Sequence, residues 1–271
     1  DSKMSKISII TINLNNKQGL ARTIESVVNQ SCNDYEYIII DGGSTDGSID
    51  IIDRFKKRIT HWVSESDNGI YNAMNKGITL ANGEYCLFLN SGDFFYNDFV
   101  LQNIIGKLNN YDIIYGNIII LPNNINLGNS DELKKYSKPY PGRKKSLKIY
   151  YRFGPVIPHQ AEFIKRSVFN RIGYYDEQYK IASDVEFNIR AIDYSSLKFK
   201  YIGDIISYFI LDGIGSDFDE DSQAHKETEL ILKRFSQSKT ILFFKALYLL
   251  DKKMAKLTNY IKKRCNIFFT N

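Results

Sequence analysis

The sequence predicts an α/β protein with a mostly parallel central sheet flanked by helices. Three observations carry this. Short apolar runs recur through the first half, long enough for strands buried on both faces. Each run is followed by a segment with apolar residues at helical spacing. Two of the runs end in a glycine-containing turn that presents a carboxylate. Strands alternating with helices of about a dozen residues imply βαβ units and a parallel sheet.

Lys6–Ile12 (KISIITI) reads as the first strand. Gly19–Gln30 follows as a helix with Leu20, Ile24, Val27 and Val28 on one face. Tyr35–Ile40 is a second strand. Asp46–Lys57 is a helix capped by the Ser44-Thr45-Asp46 turn, with Ile49, Ile52 and Phe55 inward. Ile59–Ser64 gives a short strand, Gly69–Leu80 a helix, Glu84–Leu89 a strand and Asp98–Leu108 a helix, with strands near Ile113–Tyr115 and Ile118–Leu121. From Pro122 to Pro158 the pattern breaks. Asn, Pro, Gly and Lys dominate, and a long mobile loop is expected. Helices at Lys165–Arg171 and Asp184–Tyr194, a strand at Lys198–Leu211 and a helix at Ser222–Phe235 complete the regular pattern, with Gly213-Ile214-Gly215-Ser216 in an acidic, flexible segment. Thr240–Lys263 reads as a long helix. Its Phe243, Leu247, Leu250, Met254, Leu257 and Ile261 fall in one apolar stripe and lysines fill the other faces.

Composition narrows the function classes. The three cysteines, Cys32, Cys86 and Cys265, are far apart and form neither a metal-ligand spacing nor a disulfide framework, so a reducing cytoplasmic compartment is expected. No signal-peptide pattern opens the sequence, and no apolar run approaches the ~18 residues that span a bilayer. Asp1-Ser2-Lys3 precede Met4 and are left out of the fold reading. The net charge of +5 is uneven: Lys239–Asn271 holds eight basic residues against one acidic, Asp251, and Leu133–Arg152 holds eight and none. Nucleic acid, anionic lipid, a phosphorylated substrate or plain solvated lysines each account for such patches. No nucleic-acid motif or aromatic–basic stacking platform accompanies them, so nucleic acid is not expected as a partner. For the basic amphipathic tail three readings stay open: a contact with an anionic membrane surface on the inner face of the cell membrane, packing on the main body, and a homodimer.

Two strand ends carry chemistry. In Glu84-Tyr85-Cys86-Leu87-Phe88-Leu89-Asn90-Ser91-Gly92-Asp93 a buried strand runs into a tight turn that ends in a carboxylate, at the edge where open α/β sheets place ligands. A carboxylate on so rigid a mount suits a hard divalent cation, while a turn Asp capping its own backbone is the bland alternative. In Ile38-Ile39-Ile40-Asp41-Gly42-Gly43-Ser44-Thr45-Asp46-Gly47-Ser48 a strand ends in Asp41 and a glycine pair follows. Such an acid can bond a nucleoside, and Gly42 and Gly43 let a ligand approach the backbone. A dinucleotide-binding Gly-x-Gly-x-x-Gly does not follow the first strand, which disfavours a dehydrogenase.

Together ISIITIN, the Ser26-Val27-Val28-Asn29-Gln30 helix end, IIIDGGSTDGS and GEYCLFLNSGD resemble the family 2 glycosyltransferases, closely over Lys6–Leu121 and more loosely over Pro158–Gly215. The resemblance implies a GT-A fold with a C-terminal helical extension. Residues 4–121 would bind the nucleotide sugar, 122–158 form a flexible basic insertion, 159–221 form the acceptor half with the catalytic base, and 222–271 form the C-terminal helices. It also implies an inverting, metal-dependent enzyme of bacterial surface-polysaccharide assembly. A UDP-sugar donor is favoured, Mn²⁺ or Mg²⁺ is the cofactor and a glycan or lipid-linked hydroxyl is the acceptor. Thr11, Asn13, Asp41, Gly43 and Asp67 then match nucleoside-contacting positions, and Ser91 and Gly92 border the diphosphate. Asp93 matches the metal-binding Asp of the family's DxD motif. Asp184, in Ile181-Ala182-Ser183-Asp184-Val185-Glu186, matches the general base.

Departures are visible too. The DxD motif reads Asn90-Ser91-Gly92-Asp93, which leaves one carboxylate for the metal, and the base motif lacks its leading acid. Met74 stands where many members place an Arg near the phosphates, and Lys76 is the cation nearby. His159, in Pro158-His159-Gln160-Ala161, is read either as a structural residue or as an acceptor or diphosphate contact, with Arg152 and Glu186 as further contacts. His225 is a candidate metal ligand. The only Trp is Trp62, so the Gln-x-x-Arg-Trp motif of processive family members is missing and transfer of a single sugar is expected. A catalytically silent nucleotide-sugar-binding module remains the alternative.

Overall fold

The computed structural model describes residues 5–128, 130–140, 157–211, 222–238 and 241–242. In chain order its elements are β1 (Ile7–Asn13), α1 (Lys17–Val28), β2 (Tyr35–Asp41), α2 (Ser48–Phe55), β3 (His61–Ser64), α3 (Ile70–Leu80), β4 (Tyr85–Phe88), β5 (Phe94–Phe95), α4 (Val100–Ile105), β6 (Ile113–Pro122), α5 (Ser130–Lys134), β7 (Pro139–Tyr140), β8 (Glu162–Lys165), α6 (Arg166–Ile172), α7 (Ser183–Asp193), β9 (Phe199–Leu211) and α8 (Gln223–Arg234). They form one sheet of order β3-β2-β1-β4-β8-β6-β9-β5, with β7 added on β6. Strands β3, β2, β1 and β4 are parallel. Strand β8 enters antiparallel between β4 and β6, and β9 runs parallel to β6.

The apolar runs of the first half are strands covered on both faces, and their side chains divide with a period of two. Ile7, Ile9, Tyr37, Ile39, Tyr85 and Leu87 face one core with Leu20, Ile24 and Val27 of α1, Ile51 and Ile52 of α2 and Leu101 of α4. Ile10, Ile12, Ile38, Ile40, Cys86 and Phe88 face the other with Met74 and Ile78 of α3, Phe169 of α6 and Phe187 of α7. Each fully buried Ile or Phe contributes about 1.5–3 kcal/mol. Gly77 lets α3 lie against β1, because a Cβ there would stand 2.4 Å from Ile10 Cγ2.

Several boundaries differ from the sequence reading. Helix α2 starts at Ser48, not Asp46: Asp46 Oδ1 accepts the Ser48 amide and hydroxyl from before the helix, and Gly47 turns the chain at φ 88°. Its buried apolar positions are Ile51 and Ile52, with Ile49 and Phe55 at the margin. Helix α4 is shorter than Asp98–Leu108. The two strands expected at 113–121 are one, β6, with register shifts around Asn117. Strand β8 was not foreseen. Within the segment expected to be an irregular mobile loop, α5 forms and β7 pairs with β6. The rest of that basic loop from 141 to 156, including Arg152, lies outside the described residues. So do Gly213–Ser216 and the tail helix, apart from Ile241 and Leu242. Ile241 packs against the cluster of Ala182, Val185, Ile189 and Ile231. No helix of the described residues is long and apolar enough to cross a membrane.

Candidate active site

The C-terminal ends of β1, β2 and β4 meet at one edge of the sheet, where parallel α/β sheets hold ligands. Asp41 at the end of β2 is fully buried. Its Oδ1 accepts Asn13 Nδ2 at 2.7 Å and Ser44 Oγ at 2.6 Å. Its Oδ2 accepts the amides of Gly43 and Ser44 and Ser64 Oγ at 2.7 Å. Burial alone would raise its carboxyl pKa. The donors from Ser44, Asn13 and Ser64 outweigh that and hold it below the usual carboxylate value.

Asp41 therefore organises the turn, and its oxygens are already engaged by protein donors. Asn13 Oδ1 is buried without a partner among the described residues. Asp67 lies over the turn: a Cβ on Gly42 would stand 2.7 Å from Asp67 Oδ2 and 3.3 Å from Leu14 Cδ1. Asp67 Oδ1 is held by the Gly69 amide. Gly43 has φ 84°, a left-handed conformation that glycine adopts without strain. Thr11 does not reach this edge. It is fully buried, bonds Tyr37 Oη and donates to the Leu89 carbonyl at 2.7 Å, tying β1 to the end of β4.

The turn after β4 is braced by α1. The Ser91 amide donates to the Ile12 carbonyl, and the Ser91 carbonyl accepts Asn16 Nδ2. Gly92, at φ 108°, donates to Thr23 Oγ1, which donates in turn to the Asp93 carbonyl at 2.7 Å. Asp93 is buried in this turn. Asn90 Oδ1 is a buried oxygen without a hydrogen-bond partner among the described residues. Lys76 pairs with Glu65 at 2.7 Å.

A second group of residues arrives from the far half of the chain. His159 sits in the 3₁₀ turn His159–Ala161 that leads into β8. Its Nε2 is 3.2 Å from Asn90 Nδ2, and its Nδ1 is 3.7 Å from Asp184 Oδ2. The turn after β4 and the start of α7 thus converge on one imidazole. Asp184 is 18% exposed. Its Oδ1 accepts Tyr71 Oη at 3.0 Å and the Val185 amide at 2.9 Å, which fixes its rotamer and leaves Oδ2 facing His159 beyond hydrogen-bond range. Behind it lies Glu162 of β8, buried. Burial first, then the neighbouring Asp184 charge, push its carboxyl well above the ordinary range, and Asn188 only partly offsets them.

Other expectations are not met. Glu186 does not face this group: it is buried against Arg190, which bonds both its oxygens at 2.8 Å and also donates to the carbonyls of Ile172 and Tyr174. His225 of α8 faces Glu229 at 3.5 Å instead of a metal centre. Among the described residues no cluster of three or more His, Cys, Asp or Glu side chains is placed to hold a metal ion. The residues that could hold one are Asp93 and Asn90, whose Oδ1 has no partner among the described residues; their oxygens are hard donors of the kind that suits Mg²⁺ or Mn²⁺ when water and substrate complete the shell. The sequence reading did not single out Tyr71, Glu162 or Glu227. Tyr71 lies in the helix read at Gly69–Leu80, but a buried hydroxyl partner has no sequence signature. A cavity of about 430 Å³ lies elsewhere, on β6 and β9, lined by Asn117, Tyr201 and the mutually paired Lys107 and Asp204.

Residues 8–173 match the family model described as Glycosyl transferase family 2. A Mycobacterium bovis protein named PGL/p-HBAD biosynthesis glycosyltransferase is 31% identical over 210 residues, covering 74% of this chain and 75% of its own length. The uncharacterized glycosyltransferase Rv1514c of Mycobacterium tuberculosis is 35% identical over 189 residues, covering 68% of each. S. aureus TarS in complex with UDP superposes with a TM-score of 0.62 at 17% identity, over 90% of this chain and 69% of that one. The mannosyltransferase PcManGT of Pyrobaculum calidifontis, in complex with GDP-Man and Mn²⁺, gives 0.57 at 12% identity, over 97% and 83%. The chain belongs to glycosyl transferase family 2 and has the GT-A fold.

Proposed function

We propose that the protein is an inverting glycosyltransferase that moves one sugar from a nucleotide-sugar donor, UDP-linked by preference, to a hydroxyl of a glycan or lipid-linked acceptor in bacterial surface polysaccharide synthesis. The observation that carries this is the Asn90–His159–Asp184 line, which joins the turn after β4 to a partly exposed carboxylate with one oxygen left for chemistry.

In the proposed step the acceptor oxygen attacks the anomeric carbon from the face opposite the diphosphate. The acceptor O–H bond breaks and its proton goes to Asp184 Oδ2. The new C–O bond forms as the bond to the diphosphate oxygen breaks, and that oxygen keeps the electron pair. A positioned carboxylate base is worth about 10²–10⁴-fold, and the transition state is oxocarbenium-like, as in other glycosyl transfers. His159 keeps its imidazole between Asn90 and Asp184, so the base and the donor end are set by one ring. Asn13 Oδ1 and Asp67 receive the nucleoside, and the backbone of Ser91 and Gly92 borders the diphosphate. Asp93, with Asn90 Oδ1, would hold a divalent ion, which supplies positive charge beside the leaving group.

The UDP preference is supported by the UDP and UDP-GlcNAc complexes of TarS, and the metal by the Mn²⁺ complex of the mannosyltransferase. The amphipathic, basic sequence of 240–263 supports peripheral attachment on the cytoplasmic side, where deleting 239–271 should abolish pelleting with anionic vesicles; persistence would assign the tail to packing or dimerisation.

A thermal-shift panel of UDP- and GDP-sugars with and without Mn²⁺, followed by assay of free nucleoside diphosphate, tests the reading. Stabilisation by a UDP-sugar with release of UDP is expected. Binding without release would show a silent nucleotide-sugar module, and no binding would refute both.

A further inference from the structure

We infer that Glu227, on the helix that follows the acceptor half, is a positioning residue for Asp184. This rests on the role of Asp184 as base proposed above. The segment before α7 has no regular secondary structure, so its backbone amides need partners from elsewhere. Glu227 supplies them. Its Oε1 accepts the Lys180 amide at 2.9 Å, and its Oε2 accepts the amides of Ile181 at 2.8 Å and Ala182 at 3.0 Å. Gln223, one turn earlier on α8, donates to Oε1 at 2.8 Å and aims the carboxylate. Three successive amides on one buried anion form a small nest, and such charge-assisted bonds are short and strong.

The grip reaches Asp184 through one peptide group. Ile181 is held from both sides: its amide by Glu227, and its carbonyl by Tyr71 Oη at 2.6 Å. The same Tyr71 hydroxyl lies 3.0 Å from Asp184 Oδ1, so its one proton is shared between the Ile181 carbonyl and the carboxylate. A shift of the 180–182 backbone therefore moves Tyr71 and the carboxylate it orients. Helix α8 holds the loop at a second point, where Arg234 Nη1 reaches Asp176 Oδ2 at 3.2 Å and Tyr179 Oη at 3.3 Å. Ile231 of α8 closes the contact against Ala182, Val185 and Ile189. The helix thereby acts as the base's backrest and is not a separate appendage. Burial alone would push the Glu227 carboxyl up, yet Gln223 and the three amides outweigh it and keep the group ionised at neutral pH.

Glu227→Gln is isosteric but places NH₂ hydrogens against backbone N–H groups, so part of the nest is lost. We would measure UDP affinity by calorimetry and UDP release from UDP-GlcNAc, UDP-glucose and UDP-galactose. Amide exchange at 180–182 would be followed alongside, with Asp184→Asn in the same series. Glu227→Gln should bind UDP like the wild type, lose about 100-fold in kcat with little change in donor KM, and exchange faster at 180–182. Glu227→Asp, which keeps the charge, should recover part of kcat. Wild-type kcat in Glu227→Gln beside an inactive Asp184→Asn overturns the positioning role alone. An active Asp184→Asn overturns the assignment of the base, and the positioning role with it. Should Glu227→Gln fail to fold, Gln223→Ala carries the same test: a smaller fall in kcat at unchanged UDP affinity is expected, and unchanged kcat overturns the inference.

Discussion

Asp41 and Asp184 stand at opposite ends of the same question. Asp41 closes the parallel half of the sheet, fully buried, with five donors on its two oxygens. Asp184 opens α7 in the other half, partly exposed, with one oxygen fixed and the other turned toward an imidazole too distant to bond it. The difference teaches how to sort carboxylates at a sheet edge. One whose lone pairs are filled by backbone and side-chain donors shapes a loop. One with a rotamer lock on a single oxygen keeps the other for a proton. The first is an anchor by its partners; the vacancy on the second is what the proposed role as base rests on.

Among effects on folding, the largest should come from Asp41→Asn. Its NH₂ group would face Gly43, Ser44 and Ser64 donors, at a cost on the order of 2–4 kcal/mol in urea unfolding. A loss below about 1 kcal/mol would break the anchor reading. Gly77→Ala should follow, at about 1–3 kcal/mol, because its Cβ meets Ile10 in the sheet that carries Asn13 and Asp41; a neutral outcome would show that α3 can lift off β1.

Acid sharpens the comparison further. Asp41 and Glu227 both have folded pKa values below the ordinary ones. A depressed carboxylate contributes stability that is fully present above its unfolded value, near 4, and is lost as pH falls through the folded value. Below about pH 5 the loss of unfolding free energy should be gentler in Asp41→Asn than in the wild type, while the raised carboxyl of Glu162, present in both, adds stability as pH falls through its folded value. An identical acid slope in that variant would contradict the assignment. The smallest effect belongs to Lys76→Gln, under about 1 kcal/mol, since Lys76 sits in an exposed pair with Glu65. A marked loss of UDP affinity there would return Lys76 to the phosphates.

Much of the parallel half was legible in the sequence, because strands β1, β2 and β4 are short segments dominated by apolar residues and glycine marks the turns after β2 and β4. The antiparallel insertion was not. Strand β8 is four residues between a 3₁₀ turn and a helix, too short for a period to show. Its place between β4 and β6 is set by non-local pairing, Cys86 with Ile164 and Ile113 with Ile164. At the site, the acids at strand and helix ends were visible as candidates, and His159 as one of two readings. Their partners were not visible. Nothing in the sequence says that Thr11 points into the sheet, that Glu186 is consumed by Arg190, or that Glu227, one charge in a polar helix, holds three amides 45 to 47 residues away.

The most direct test crosses the two carboxylates with two readouts, donor turnover and unfolding midpoint. Asp184→Asn should keep its midpoint and its UDP affinity while turnover falls by about 10²–10⁴-fold, the reverse of the stability loss in Asp41→Asn. An Asp184→Asn protein that turns over donor at the wild-type rate would contradict the account.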